Sequence, residues 1–165
     1  MSRAFVKEGD GEESDDDLPS RPIDPRPNLV TPEGLRRIEA EATRLQTALA
    51  AAQARGVRAS TAELSRDLRY WQSRRATAEL VRPADDCDQL RFGLRVTLQY
   101  EDGGRQSYRI VGIDEADPAK GLLSYVAPLA QALLGKRVGD SVEAGKQGLA
   151  EIVAIDHGDR APGSP

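Results

Sequence analysis

Two apolar repeats with coiled-coil spacing constrain the fold of this chain more than any other feature. The first consists of Leu35, Ile38, Ala42, Leu45, Leu49 and Ala52, and the second of Thr61, Leu64, Leu68, Trp71, Arg75 and Ala78. Steps alternating between three and four residues place side chains on one face of a helix. Gly56 lies between the repeats and is suited to ending a helix. The sequence therefore predicts an antiparallel coiled-coil hairpin, in which Trp71 is buried and Arg75 extends to solvent.

Local signals predict where the two helices begin and end. Thr31 is followed by Pro32 and Glu33, a combination typical of a helix start. Residues 60–63, with the sequence STAE, match a capping box and predict the start of the second helix. Pro83 predicts the end of that helix, because proline cannot continue it.

A different periodicity begins beyond Leu90. Residues 94–100 and 106–111 alternate apolar and polar side chains on either side of a glycine-containing turn, as β-hairpins do. Further strands are predicted at residues 122–126, 141–144 and 149–155, and a short helix at residues 127–134. The predicted fold class is therefore α+β, with the helical hairpin followed by a compact antiparallel β domain.

Acidic residues are concentrated near the N-terminus. Residues 1–29 contain eight Asp and Glu against four Lys and Arg, together with four Pro. Such a segment buries too little apolar surface to offset the entropy lost on ordering, so we predict a disordered acidic tail there. The other predicted boundaries are 30–82 for the hairpin, 83–157 for the β domain and 158–165 for a second disordered tail.

Composition excludes several classes of function. No stretch approaches the roughly 18 apolar residues of a transmembrane helix, and the N-terminus lacks a signal-peptide core, so we expect a cytoplasmic protein. One Cys and one His cannot form a zinc site, and no P-loop sequence occurs. Composition leaves metals with oxygen ligands possible. From the sequence as a whole we expect no metal site, no resident cofactor and no catalytic residue. Asp114 and Glu115 are expected to cap a loop of the β domain.

Three stretches carry a family resemblance. They are residues 30–35 (VTPEGL), residues 68–71 (LRYW) leading into 80–81, and residues 108–117 (YRIVGIDEAD) continued by 128–136 (PLAQALLGK) and 138–140. Together they resemble the bacterial Gre transcript-cleavage factors, and the GreB type more closely. The resemblance implies a coiled coil followed by an FKBP-like β domain. It also implies a monomer whose partner is bacterial RNA polymerase, with nascent RNA or DNA as a further contact.

The predicted tip of the hairpin departs from that family. Gre factors carry an acidic tip motif whose carboxylates hold a second Mg²⁺ in the polymerase active site, as two-metal water activation requires. Here Val57 and Ser60 stand at acidic positions, Gly56 and Arg58 complete the turn, and Glu63 remains only on the following helix. The arms are also shorter than the family's by about two helical turns, roughly 11 Å of reach.

The sequence therefore predicts an RNA polymerase-binding elongation regulator that is not an enzyme and does not stimulate transcript cleavage. Any Mg²⁺ would come from the polymerase. The alternative is an active GreB-like factor, in which Glu63 or acids of the N-terminal tail replace the missing pair. A prolyl isomerase is disfavoured because its pocket needs an aromatic lining, and only 4% of the residues are aromatic.

Two further groups of residues are candidate contacts. Val126, Ala127 and Pro128 occupy the step where Gre factors usually carry Asp-Ser-Pro and dock on the polymerase. The candidate nucleic-acid contacts on the hairpin are Arg55, Arg66 and Arg69. Arginine is suited to binding phosphate, although it is also common on a solvated helix face.

Overall fold

A computed structural model of the protein describes residues 18–158. Of the two predicted tails, 1–29 and 158–165, residues 1–17 and 159–165 lie outside the described residues. The elements are β1 (Asn28–Val30), α1 (Pro32–Arg55), α2 (Arg58–Ala76), β2 (Ala78–Leu80), β3 (Arg95–Tyr100), β4 (Arg105–Val111), β5 (Leu122–Ser124), α3 (Pro128–Leu133), β6 (Ser141–Glu143) and β7 (Leu149–Asp156). The predicted architecture, a helical hairpin followed by a β domain, is confirmed. Within the described part of the chain, no helix is long and apolar enough to cross a membrane.

The hairpin forms as the apolar repeats predict. At the start of α1 the Thr31 hydroxyl accepts a hydrogen bond from the backbone N–H of Gly34. Gly56 ends α1 in the left-handed conformation, with φ at 68°. The side chains packed between the helices are Ala42, Leu45, Leu49, Leu64, Leu68 and Trp71. Arg75 extends to solvent as predicted, with 63% of its side chain exposed.

The second helix differs from the prediction at both ends. Because Gly56 and Val57 reverse the chain within two residues, α2 begins at Arg58, ahead of the expected capping box. Val57 is the N-cap residue, and no side chain caps the helix. The helix ends at Ala76 instead of near Pro83, because the following residues form β2 and pair with β1.

A two-stranded parallel sheet formed by β1 and β2 closes the base of the hairpin. Asn28 is 4% exposed. Its side-chain amide donates hydrogen bonds to the Arg74 carbonyl at 2.7 Å and to the Thr77 hydroxyl at 3.2 Å. The structure therefore differs from the predicted boundary, since β1 begins inside the segment assigned to the acidic tail.

The β domain contains a five-stranded sheet with the order β5-β4-β3-β7-β6. β3 pairs antiparallel with β4 and β7, and β6 pairs antiparallel with β7. β5 pairs parallel with β4, so one edge departs from the all-antiparallel sheet that the sequence predicts. The reason is the β4–β5 connection, whose two short 3₁₀ turns return the chain to the same end of the sheet.

The core of the β domain lies against one face of this sheet. Its largest fully buried side chains are Leu90, Leu94, Val96, Leu98, Ile110, Leu133 and Ile152. Alternate residues of β3 are buried, as the period-two pattern predicts. Helix α3 contributes Leu133 and Ala130 to the same core.

Candidate functional site

The predicted tip residues lie together at the end of the hairpin. Gly56 and Val57 form the turn, Arg58 begins α2, and Ser60 and Glu63 lie in the first turns of that helix. Val57 is 45% exposed. The apex is therefore an apolar side chain next to a guanidinium group.

Carboxylates are missing from the end of the hairpin. The sequence contains no Asp or Glu between Glu41 and Glu63, whereas Arg55 and Arg58 flank the turn. Among residues 18–158, no group of three or more His, Cys, Asp and Glu could hold a metal ion. Mg²⁺ takes oxygen ligands in near-octahedral geometry, and a guanidinium repels it. Among the residues that the structure describes, the tip thus offers a divalent cation a single carboxylate, Glu63.

The three candidate phosphate-binding arginines have different surroundings. Arg55 is exposed in the last turn of α1. On α2, Arg66 Nε lies 3.1 Å from Oδ1 of Asp67. Arg69 donates a hydrogen bond to the Leu18 carbonyl at 3.3 Å. Two of the three therefore already have neighbours within the chain.

The candidate docking step leads into α3. Ala127 is the N-cap residue and the exposed Pro128 begins the helix, whereas Val126 packs partly against the core. Tyr125, which immediately precedes the step, is buried, and its hydroxyl donates a hydrogen bond to the Pro27 carbonyl. The candidate docking step is thus held in place by the packing of Val126 and by the hydrogen bond of the preceding Tyr125, whereas Pro128 faces solvent.

A buried ion pair joins the hairpin to the β domain, and the sequence reasoning missed it. Arg74 of α2 is 2% exposed, and its Nε lies 2.5 Å from Oδ2 of Asp114. The other carboxylate oxygen of Asp114 accepts a hydrogen bond from the Tyr70 hydroxyl at 2.5 Å. Burial, together with this hydrogen bond, raises the pKa of Tyr70 to about 12. One carboxylate thus holds two side chains of α2.

Glu115 holds α1 in the same way. Its buried carboxylate accepts hydrogen bonds from the Thr31 hydroxyl and from the backbone N–H groups of Thr31 and Gly112, the latter two at 3.2 Å. A negative charge is favourable at the positive end of the helix dipole. A Cβ at Gly34 would lie 2.2 Å from this carboxylate. The prediction that Glu115 caps a loop is confirmed at Gly112, but the residue also caps α1.

We call the contacts of Asp114 and Glu115 with the two helices of the hairpin the junction. The sequence contained a weak signal for it. Tyr70 and Arg74 are four residues apart and lie off the apolar repeat, so they share a face of α2 that α1 does not cover. Their partner Asp114 follows 44 and 40 residues later in the chain. Spacing within one helix could mark the face as buried, but it could not identify a partner so distant in sequence.

Comparison with known proteins identifies the family. The family model described as "Transcription elongation factor, GreA/GreB, C-term" matches residues 84–156. Transcription elongation factor GreB of Xanthomonas axonopodis pv. citri is 37% identical over 153 residues, covering 78% of this chain and 90% of that protein. The chain belongs to the GreA/GreB family.

Transcription elongation factor GreA of Ruegeria pomeroyi is 32% identical, covering 78% of this chain and 96% of that protein. The structure of GreA factor homolog 1 (Gfh1) from Thermus thermophilus matches with a TM-score of 0.39 and 22% identity, over 79% of this chain and 99% of that one.

The GreA/GreB match includes the candidate docking step and both Asp114 and Glu115, since all lie within residues 84–156. The alignment with the Xanthomonas GreB has 153 positions but uses 78% of the 165 residues here, so about 24 positions of that GreB have no counterpart in this chain. This member of the GreA/GreB family is therefore shorter than that relative within the aligned region.

Proposed function

We propose that the protein is a cytoplasmic regulator that docks on bacterial RNA polymerase through its β domain, places its hairpin in the secondary channel, and does not stimulate transcript cleavage. The observation that carries the proposal is the apex, an exposed Val57 between Arg55 and Arg58. Membership of the GreA/GreB family supports the choice of partner. The composition of the apex supports the lack of cleavage stimulation.

The chemistry of cleavage explains why the apex matters. A two-metal mechanism needs carboxylates that bring a second divalent cation to the polymerase active site. Glu63 follows Val57 by six residues, which places it about 9 Å back along α2. A single carboxylate at that depth, behind the Arg58 guanidinium, cannot hold a cation ahead of the hairpin. In this proposal the metal ion belongs to the polymerase, and the protein contributes no catalytic residue.

The length of the hairpin also supports the proposal. α1 has 24 residues and α2 has 19. Shortening each arm by two turns, as inferred from the sequence, removes about 14 residues in total. That loss would equal just over half of the GreB positions without a counterpart here. A hairpin shortened in this way ends about 11 Å short of the position that the family's tip reaches.

Docking is proposed to involve Val126, Ala127 and Pro128. The centre of a protein interface is depleted of charged residues, and this step is apolar. The arginines proposed to meet nucleic acid in the elongation complex are Arg55, Arg66 and Arg69. We propose that the protein acts as a monomer and needs no cofactor of its own.

Backtracked elongation complexes of bacterial RNA polymerase provide the test. Addition of the protein should release no short 3′ RNA fragments above the polymerase's own rate, while a GreB with an intact acidic tip should release them. Binding is checked separately, by recovery of the protein with the polymerase on a sizing column. Abundant fragments that disappear with Glu63→Ala would show that the protein is instead an active cleavage-stimulating factor.

A further inference from the structure

The segment before β1 lies along the side of α2 that faces away from α1. We call residues 18–27 the strap. The Leu18 carbonyl accepts a hydrogen bond from Arg69. The Arg21 guanidinium lies 3.9 Å from the centre of the Tyr70 ring, and its Nη1 lies 3.8 Å from Oδ1 of Asp67. Since the next residue, Asn28, bonds to α2 near its C-terminal end, the strap leads from the base of the hairpin toward its tip.

Beyond the strap, the outer side of α2 is basic. With 3.6 residues per turn, Arg58, Arg66 and Arg69 fall within about 80° of the helix circumference, on the side away from the apolar repeat. Ala62 lies between them. We call these three arginines and Ala62 the basic face. Of the two acids on α2, Asp67 is already paired with Arg21 and Arg66, and Glu63 lies about 60° around the helix from the edge of the basic face.

The residues that precede Leu18 match this face in charge and length. Residues 12–17 have the sequence EESDDD, with five acids in six positions. Arg58 and Arg69 are eleven residues apart, about 16 Å along the helix axis. Six extended residues span up to about 20 Å. An acidic run attached at Leu18, which already contacts Arg69, therefore has the reach to cover the basic face.

We propose that the acidic run 12–17 binds the basic face of α2 within the same chain and competes there with nucleic-acid phosphates. Tethering at Leu18 gives the run an effective concentration of the order of millimolar at the face. Each exposed ion pair contributes little and is screened by salt, so the contact is reversible and displaceable by a polyanion. This contact does not require RNA polymerase, and it can be tested without polymerase.

Disulfide cross-linking measures the contact directly. In a Cys87→Ser background, Ser14→Cys is combined either with Ala62→Cys on the basic face or with Ala51→Cys on the exposed side of α1. Both positions lie five residues from the turn. We expect the Ala62→Cys pair to cross-link at least about tenfold faster at low salt. The two rates should converge near 0.5 M salt, where the screening length is only a few ångströms.

Neutralising the acidic run provides a second test. Changing its Glu residues to Gln and its Asp residues to Asn, around Ser14→Cys, should abolish the difference between the two cross-linking rates. Equal rates at low salt in the unmodified run would overturn the proposal, as would a difference that survives both high salt and neutralisation.

Competition is measured with a short single-stranded RNA. The protein with the neutralised run should bind this RNA about tenfold more tightly, because the RNA phosphates no longer have to displace the acidic run from the basic face. A matched control neutralises five exposed acids of the β domain: Asp85, Asp88, Glu101, Glu143 and Glu151. If the control gives the same increase, the effect is one of net charge, and the proposed competition is wrong.

Discussion

At the scale of single residues, the junction depends on the Glu115 carboxylate and on the absence of a side chain at Gly34. The Glu115 carboxylate is buried and accepts three hydrogen bonds, which compensate for its loss of hydration. Gly34 leaves the space that the carboxylate occupies. The first turn of α1 can therefore rest directly on the turn that follows β4.

Gly34→Ala tests this fit. A Cβ at residue 34 would overlap the Glu115 carboxylate, and we expect a loss of about 2 kcal/mol in the free energy of unfolding. Gly104→Ala is the control, since its Cβ would meet only the exposed side chain of Asp102 at 3.0 Å. Urea unfolding followed by circular dichroism measures both variants. Equal stability of the two would show that the junction relaxes at no cost.

Tyr70 predicts a pH dependence. Its pKa is raised to about 12 in the folded protein, mainly by burial and then by the hydrogen bond to Asp114. An unfolded tyrosine ionises near pH 10, so the unfolded chain loses its proton first. This contribution to stability is complete below pH 10 and is lost as the pH rises toward 12. Urea unfolding across this range should show a shallower decline for Tyr70→Phe. Identical slopes would contradict the assignment, because Tyr100, whose pKa is also about 12, is present in both proteins.

At the scale of elements, what the sequence could predict depends on how local each interaction is. The apolar repeats and the Gly56 turn involve neighbouring residues, and they predicted the hairpin correctly. The end of α2 depends on pairing between Asn28–Val30 and Ala78–Leu80. That pairing joins segments about fifty residues apart, and no periodicity within α2 indicates it. The strand β5 was predicted, but its parallel pairing with β4 was not, because that orientation is set by the two 3₁₀ turns between them, which the alternation of apolar residues does not indicate.

Arg74 and Arg75 provide a matched pair for the contact between α2 and the β domain. Arg74→Met leaves the Asp114 carboxylate buried without its cation, and we expect a loss of about 3–5 kcal/mol. Arg75→Met removes an exposed charge 3.9 Å from Glu39 and should cost less than about 1 kcal/mol. Denaturant unfolding of both variants gives the comparison. Similar losses would mean that the buried ion pair does not hold the hairpin in place.

At the scale of the whole molecule, Asp114 and Glu115 fix the direction of the hairpin relative to residues 126–128, the candidate docking step. Both acids follow β4, and together they hold α1 and α2. A partner that binds the β domain therefore also receives the hairpin in a defined orientation. The composition of the tip could be predicted from sequence, because it is a local property, whereas the junction required contacts between distant segments.

The most direct test of the proposed function is competition with GreB on backtracked complexes. The protein alone should release no 3′ fragments, and increasing amounts should suppress the fragments that GreB releases, because both hairpins need the same channel. Pro128→Asp, which puts a charge into the docking step, should weaken the suppression. Fragments released by the protein alone, or GreB cleavage unaffected by a saturating excess of the protein, would contradict the account.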